Sequence, residues 1–200
     1  MIEYRTNLRQ SACQYRGDAE FKRQPPQHRM RVALASPPQY ESLVDLLREL
    51  HTYYNEGSVV PREMARSHLV DNLLGAESPL RLVVAYGDDG QVFGLAAISL
   101  TYSLVEPVPE QRRHCQLKEL YVRSSNRGLG VGKAIMSWVA QYAIDHGCRR
   151  IDWPVKASNA RGIAFYKGLG AQQVVERLSF RLSEPSLSQL ANASGGTSGG

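Results

Sequence analysis

The sequence predicts an α/β fold in which helices flank a mixed central sheet. Three observations lead to this prediction. Short strand-like runs alternate with amphipathic helical segments, two of the strands flank a hairpin turn, and a glycine-rich loop connects a strand to a helix. The chain has 200 residues, 42% of them hydrophobic, which is enough for one domain with a full core.

Five elements make up the first half of the predicted domain. The helix candidates carry apolar residues at helical spacing, and the strand candidates are short apolar runs. In chain order they are the strand 31–35, the helices 37–54 and 62–74, and the strands 81–86 and 92–103. The last two strands flank Gly87-Asp88-Asp89-Gly90, whose Asp-Gly step favours a hairpin turn.

Six elements follow in the second half. They are the strand 117–122, a helix from Val131 to the stop at His146-Gly147, the strand 151–155, a helix over 160–168, and the strands 173–176 and 178–182. Pro154 cannot donate a ladder hydrogen bond, so its strand lies at an edge or stops pairing there. The predicted order is β-α-α-β-β-β-α-β-α-β-β.

The two ends of the chain differ in composition from this domain, which is expected over residues 30–182. Residues 1–29 are polar, contain Pro25-Pro26 and lack apolar periodicity, which predicts a disordered extension. Residues 183–200 end in a low-complexity run rich in glycine and serine, which predicts a flexible tail.

Charge and cysteine usage narrow the class of protein. The net charge is +5, but the basic residues are scattered, so no nucleic-acid partner is expected. Three cysteines without CxxC spacing predict no disulfide framework, and no residue cluster has metal-ligand spacing. No signal-peptide core or spanning apolar stretch is present, so we expect a cytoplasmic protein without a membrane partner.

The loop Arg127-Gly128-Leu129-Gly130-Val131-Gly132 is the most informative segment. Its glycines allow a close backbone approach, and the amides at the start of the following helix attract anions. It is not a P-loop, because Ala134 follows Gly132-Lys133 where a Ser or Thr is needed. Its GxGxG spacing also differs from the dinucleotide pattern GxGxxG. The loop therefore predicts a different kind of pyrophosphate site.

The loop resembles the acyl-CoA loop of the GNAT N-acetyltransferase superfamily at Arg127, Gly130 and Gly132. The segment 158–171 resembles a second signature of that family, in which Asn159 opens a helix and Tyr166 follows seven residues later. By element order, the resemblance covers about 30–182. It implies the GNAT acyl-CoA N-acyltransferase fold, in which the parallel strands 117–122 and 151–155 splay apart and acyl-CoA inserts between them.

The resemblance also implies acetyl-CoA as co-substrate and no metal. The loop amides hold its pyrophosphate, the strand backbone before the loop pairs with the pantetheine arm, and Asn159 both caps its helix and contacts the cofactor. The implied cofactor-binding residues are Leu120, Tyr121, Val122, Arg127, Gly128, Leu129, Gly130, Val131, Gly132, Lys133 and Asn159.

Two residues are candidates for the proton transfers. Tyr166 matches the family's tyrosine near the thioester sulfur and is predicted as general acid, although it also fits a core aromatic beside Phe165. Glu119 is predicted as general base, although it also fits a solvated strand glutamate. The chain resembles polyamine acetyltransferases in these segments, but Lys118 occupies the position of their catalytic Glu, which weakens the polyamine assignment.

The acceptor site is expected on the first two helices and the hairpin that faces them. Aromatic residues with one acid can bind an ammonium group through cation–π and charge contacts, although helix-end tyrosines are also ordinary packing residues. The candidates are His51, Tyr53, Tyr54, Glu56 and Tyr102.

The predicted function is direct transfer of acetyl from acetyl-CoA to a primary amine of a small molecule. The acceptor stays open among polyamines, aminoglycosides, amino acids and similar amines. Two alternatives remain, acetylation of a protein lysine or N-terminus and a non-catalytic acyl-CoA-binding regulator. A nucleic-acid-binding function would rest only on the pI of about 9.2. By resemblance, pairing through the late strands into a homodimer is expected.

Overall fold

The computed structural model describes residues 30–193. The predictions for residues 1–29, and for 194–200 at the end of the tail, lie outside the described residues. The tail residues that are described include a short helix, Ser186–Ala193.

A five-stranded sheet in the order β1-β2-β3-β4-β5 forms the centre of the fold. The strands are β1 (Arg31–Leu34), β2 (Arg81–Tyr86), β3 (Val92–Tyr102), β4 (Arg113–Val122) and β5 (Ile151–Asp152). β1 to β4 are antiparallel neighbours, and β5 runs parallel to β4. The predicted mixed sheet is therefore confirmed, with β4 beginning earlier and β5 ending earlier than predicted.

Helices cover both faces of this sheet. They are α1 (Tyr40–Tyr54), α2 (Arg62–Ser67), α3 (Val131–Asp145), α4 (Ala160–Gly168) and, in the tail, α5 (Ser186–Ala193). The predicted helix 62–74 is realised as α2 followed by a π-helical stretch, His68–Leu73. The predicted hairpin joins β2 to β3, where the amide of Gly90 donates to the carbonyl of Gly87 at 3.0 Å.

The core has two layers, one on each side of the sheet. α3 packs Ile135 and Val139 against one face, and α1 and the π-helical stretch pack Leu43 and Leu69 against the other. β2 is buried on both faces, with successive side chains from Leu82 to Ala85 pointing to alternate layers. The sheet therefore separates the two core layers.

A bulge and a divergence shape that opening. Ala97 lies opposite Glu119, whereas Ile98 lies opposite Leu117, so Lys118 is the extra residue of a β-bulge in β4. β4 pairs with β5 only at Cys115 with Ile151 and at Gln116 with Asp152. The strands do not pair beyond this point, in agreement with the splay that the family resemblance implies and with the missing donor of Pro154.

The prediction of two late strands is wrong for this chain. Residues 173–176 and 178–182 form no strand, and Val175, Leu178 and Phe180 are 69%, 80% and 90% exposed. An alternating pattern forms a strand only where a neighbouring edge completes its hydrogen bonds. Among residues 30–193, nothing pairs with the outer edge of β5, and this segment is left without a partner strand.

Candidate active site

A groove of about 1470 Å³ lies where β4 and β5 diverge. One wall is the end of β4 with the loop and first turn of α3 that follow it. The other wall is the segment 153–156 with α4, and the end of α1 adds Tyr53 and Tyr54. Pockets for ordinary small ligands measure about 300–1,000 Å³, so this groove suits a longer ligand.

One end of the groove is an anion cradle. Gly130 is the N-cap of α3 with φ of 82°, and no side chain caps this helix end. Gly128 has the same left-handed φ of 82°. The amides of the first α3 turn are thus available to a ligand, with the positive end of the helix dipole behind them and Lys133 beside them. The cradle fits the pyrophosphate of an acyl-CoA.

Arg127 connects the cradle loop to neighbouring elements. Its Nε donates to the carbonyl oxygen of Val122 at 2.9 Å. Its guanidinium carbon lies 5.4 Å from the ring centroid of Tyr121 and 5.9 Å from that of Tyr53. The structure therefore places this predicted cofactor-binding residue where it connects the loop to the end of β4 and to α1.

α4 closes the groove against the same loop. Asn159 caps α4 as predicted, its Oδ1 accepting from the amide of Gly162 at 2.9 Å. Phe165 lies close to Gly132, and a Cβ added to Gly132 would be 3.3 Å from the phenyl ring. Glycine at this position thus allows the two walls to approach, and Asn159 lines the groove between them.

Glu119 stands on the groove wall immediately after the bulge. Its Oε1 accepts hydrogen bonds from the Tyr54 hydroxyl at 3.3 Å and from the Leu120 amide at 3.1 Å. Burial raises the pKa of the Glu119 carboxyl, against the opposing effect of both hydrogen bonds and of the Lys156 charge. A carboxylate whose pKa is raised toward neutrality has the character of a general base.

Tyr166 lies in the same groove on α4. Its ring centroid is 5.0 Å from that of Trp153 and 5.2 Å from that of Phe165, so its orientation is held by two aromatic contacts. Burial, and then the charge of Glu119, raises the pKa of the Tyr166 hydroxyl. The phenol therefore stays protonated at neutral pH and can act as a proton donor.

Tyr54 and Tyr53 have different surroundings, although both line the groove. Tyr54 donates to Glu119, and burial followed by the Glu119 charge raises the pKa of Tyr54 to about 12. Tyr53 packs edge-on against Tyr54, with 5.1 Å between ring centroids. The structure thus gives Tyr54, predicted as an acceptor-binding residue, a direct contact with the predicted base.

Four of the predicted site residues lie outside the groove lining, and His51, which lines a separate cavity, is one of them. Leu129 is 70% exposed at the loop tip, and Glu56 follows α1 in a left-handed conformation with φ of 51°. Tyr102 pairs with Arg113 at the far end of β3, five residues along the strand from the Ala97–Glu119 pair. That separation corresponds to roughly 17 Å.

A second, mainly apolar cavity of about 800 Å³ lies between α1 and α2. Its polar side chains include those of His51, Glu63 and His68, and Tyr54 lines both this cavity and the groove. His51, an expected acceptor residue, therefore belongs to this cavity. A ligand group in the cavity would meet the groove at the Tyr54–Glu119 contact.

Trp153, Phe165 and Lys156 are groove residues absent from the predicted set. Trp153 and Phe165 contact Tyr166, whereas the Lys156 ammonium lies 5.1 Å from the Tyr54 ring centroid. Position between β5 and Asn159 could have indicated Trp153 and Lys156, and position beside Tyr166 could have indicated Phe165. The contact of Lys156 with Tyr54 joins chain segments that are far apart in sequence.

Replacing Gly130 by alanine is expected to weaken acetyl-CoA binding about tenfold. No atom lies within 4 Å of the added Cβ, so the cost arises from the left-handed backbone and not from a clash. That cost is roughly 1–2 kcal/mol, and the loop can relieve it only by turning its amides away from the cradle. Isothermal titration of acetyl-CoA measures the change.

Gly147→Ala is the matched control for this variant. Gly147 has a left-handed φ of 75°, its Cβ position is equally open, and it follows the opposite end of α3. Both variants should lose similar thermal stability, but only Gly130→Ala should lose affinity. Equal affinity in the two variants would show that the cradle does not bind the ligand.

Comparison with known proteins agrees with this geometry. The sequence model of the Acetyltransferase (GNAT) family matches residues 41–171, which include the groove from α1 to the end of α4. A solved integron cassette protein from V. cholerae superposes with a TM-score of 0.73 at 26% identity, covering 81% of this chain and 97% of that one.

One further protein is similar in sequence over part of the chain, and another is similar in structure over most of it. Thialysine N-epsilon-acetyltransferase from Bos taurus is 35% identical over 82 residues, 40% of this chain and 48% of the relative. The chain thus spans about half the length of the curated relatives it matches. An aminoglycoside N-acetyltransferase solved with CoA shares the fold, with a TM-score of 0.60, 21% identity, and coverage of 80% of this chain and 98% of that one.

Two kinds of feature are absent from residues 30–193. No group of histidine, cysteine, aspartate and glutamate side chains in that range could hold a metal ion. Nor does any helix there combine the length and apolar character that crossing a bilayer needs.

Proposed function

Because the chain belongs to the acetyltransferase (GNAT) family, we propose that it transfers the acetyl group of acetyl-CoA to a primary amine of a small molecule. The observation that carries the proposal is the contact between Glu119 and Tyr54, beside Tyr166, in a groove that ends in an anion cradle. A base, an acid and a pyrophosphate site in one groove are the parts that acetyl transfer to an amine requires.

In the reaction, a carbon–nitrogen bond to the acceptor forms and the carbon–sulfur bond of the thioester breaks. Acetyl-CoA supplies the activated acetyl group. Glu119 takes the proton that the attacking amine loses, and Tyr166 donates its hydroxyl proton to the departing sulfur. Both residues return to their starting protonation states by exchange with solvent, so the reaction consumes neither.

The acceptor class is proposed from the cavities and from the relatives. Tyr54 joins the groove to the cavity between α1 and α2, which gives a small amine a place beside Glu119. The names of two similar proteins, a thialysine and an aminoglycoside acetyltransferase, both specify small amines. A protein lysine or N-terminus is the second acceptor class, because the groove opens to solvent beside Tyr53, which is 60% exposed.

The test is acetyl-CoA-dependent release of free CoA against separate pools of polyamines, aminoglycosides, amino acids and lysine peptides. Release with a small-amine pool, at a rate that depends on Tyr166, is the expected result. Release only with peptides would indicate that the acceptor is a protein lysine or N-terminus. Acetyl-CoA binding without release from any pool would indicate a non-catalytic acyl-CoA-binding protein.

We further propose that two copies of the chain pair through the segment 178–182. Its sequence Leu-Ser-Phe-Arg-Leu alternates apolar and polar residues, and its three apolar side chains are exposed. Light scattering with size-exclusion chromatography is expected to give a dimer that Phe180→Glu converts to a monomer. Leu104→Glu is the control, because Leu104 is also fully exposed but lies on the β3–β4 loop. A dimer that persists in Phe180→Glu would contradict this interface.

A further inference from the structure

Lys156 is a cation at the reacting end of the groove. Its carbonyl accepts from the amide of Asn159 at 2.8 Å, so the turn that leads into α4 fixes its backbone. Its side chain crosses toward the opposite wall, where the ammonium nitrogen lies 5.1 Å from the centroid of the Tyr54 ring. Since the Tyr54 hydroxyl donates to Glu119, the Tyr54 side chain lies between the Lys156 ammonium and the proposed base.

Among residues 30–193, no carboxylate forms an ion pair with this ammonium group, although its charge acts on Glu119 from a greater distance. The groove lining contains six lysine or arginine residues, and Glu119 is its one carboxylate. A polyamine would therefore bring further ammonium groups into a groove whose lining already has an excess of cations, whereas an anionic group would find a partner there.

The phosphates of acetyl-CoA have their own site elsewhere. The cradle begins beyond Val122, which is three residues along β4 from Glu119, or roughly 10 Å. Lys133 provides a cation at that end of the groove. Lys156 contacts Tyr54 instead, on the side where the acceptor amine must reach Glu119.

We propose that Lys156 binds a carboxylate of the acceptor, and that the acceptor is an amino acid acetylated on a side-chain amine. This inference rests on the proposed function and specifies its substrate class. The carboxylate accepts hydrogen bonds from the Lys156 ammonium while the acceptor amine faces Glu119. Only the amine changes in the reaction, so the carboxylate acts as a handle that selects and orients the acceptor.

The test compares acceptors that differ only in the carboxylate. L-lysine is paired with cadaverine and L-ornithine with putrescine, and kcat/KM for each is measured by CoA release at saturating acetyl-CoA. The intact protein should favour each amino acid over its diamine by at least about tenfold, the effect of a charged hydrogen bond. Lys156→Met should lower that ratio about tenfold through the KM of the amino acid, and Lys156→Glu should reverse the preference.

Two matched variants separate this role from others. Lys156→Arg retains the charge and should retain the preference. Lys133→Met removes a cation at the cradle and should raise the KM for acetyl-CoA without changing the acceptor ratio. An unchanged ratio in Lys156→Met would overturn the inference, and so would an acetyl-CoA KM that rises equally with all four acceptors.

The same assay distinguishes failure of the carboxylate site from failure of the proposed function. Activity with other amines but with none of these four acceptors would overturn the carboxylate site and leave the acetyltransferase in place. No CoA release from any amine, with acetyl-CoA still bound, would refute the enzyme itself and the acceptor site with it.

Discussion

Glu119→Gln is expected to lower kcat/KM about a hundredfold at neutral pH, the lower range for loss of a general base. Glutamine keeps the size of the side chain and an oxygen that can accept from Tyr54 and Leu120, but it takes no proton. The loss should shrink toward pH 10, where a free amine acceptor is increasingly neutral without assistance. Initial rates across pH 6–10 measure it.

The dependence of the rate on pH tests whether Glu119 acts in its deprotonated form. A base acts when deprotonated, so the rate of the intact protein should rise with pH through the Glu119 pKa, which burial raises. Glu119→Gln should lack that step. If the substitution changed neither the neutral nor the alkaline rate, the base would be another residue or water.

Stability distinguishes a catalytic from a structural role for Glu119. Because its pKa is higher in the folded state, the folded state binds more protons between the unfolded and folded pKa values. The contribution of Glu119 to stability therefore falls as pH rises through that interval. Above it, the ionised carboxylate destabilises the folded state. Glu119→Gln should consequently melt no lower than the intact protein at neutral pH.

Glu106→Gln is the matched control for these measurements. Glu106 is a half-buried carboxylate on the β3–β4 loop, outside the groove lining. Its replacement should leave both the rate and the pH profile unchanged. A similar loss in both variants would indicate a general effect of charge and not a role for Glu119.

Tyr166→Phe is expected to lower kcat at least about tenfold while leaving acetyl-CoA affinity nearly unchanged. Phenylalanine keeps the ring contacts with Trp153 and Phe165 but removes the hydroxyl proton that the departing sulfur receives. Because burial and the Glu119 charge raise the Tyr166 pKa above its ordinary value, the hydroxyl should add no alkaline decline in rate below the pH range where a free tyrosine ionises.

Steady-state rates and calorimetric titration of acetyl-CoA test this expectation. Tyr142→Phe is the control, because Tyr142 stacks between Trp138 and His146 on α3, outside the groove lining. Turnover that is unchanged in Tyr166→Phe would remove Tyr166 from the mechanism. Loss of acetyl-CoA affinity together with turnover would make it a binding residue.

The groove also explains which sequence predictions had a physical basis. The glycine loop and the cap of α4 are local, since φ at Gly130 and the bond from Gly162 to Asn159 depend on neighbours along the chain. Both were therefore predictable. The strand pattern of 178–182 was equally clear, but a strand also needs a partner edge, and the described chain supplies none.

The chemistry of Glu119 could not be predicted in the same way. Its partner Tyr54 is 65 residues away in sequence. The bulge at Lys118 shifts the alternation of β4 just before Glu119, so simple period-two counting does not give the orientation of that side chain.

The sequence by itself determined the mixed α/β fold, the loop that opens α3 and the cap that opens α4, because each depends on local spacing and backbone preference. The tertiary structure alone decided that Glu119, Tyr54, Tyr166 and Lys156 share one groove, and that Tyr102 and Glu56 do not. Contacts between distant segments set burial, charge proximity and hydrogen bonding, and those contacts exist only once the sheet has formed and opened between β4 and β5.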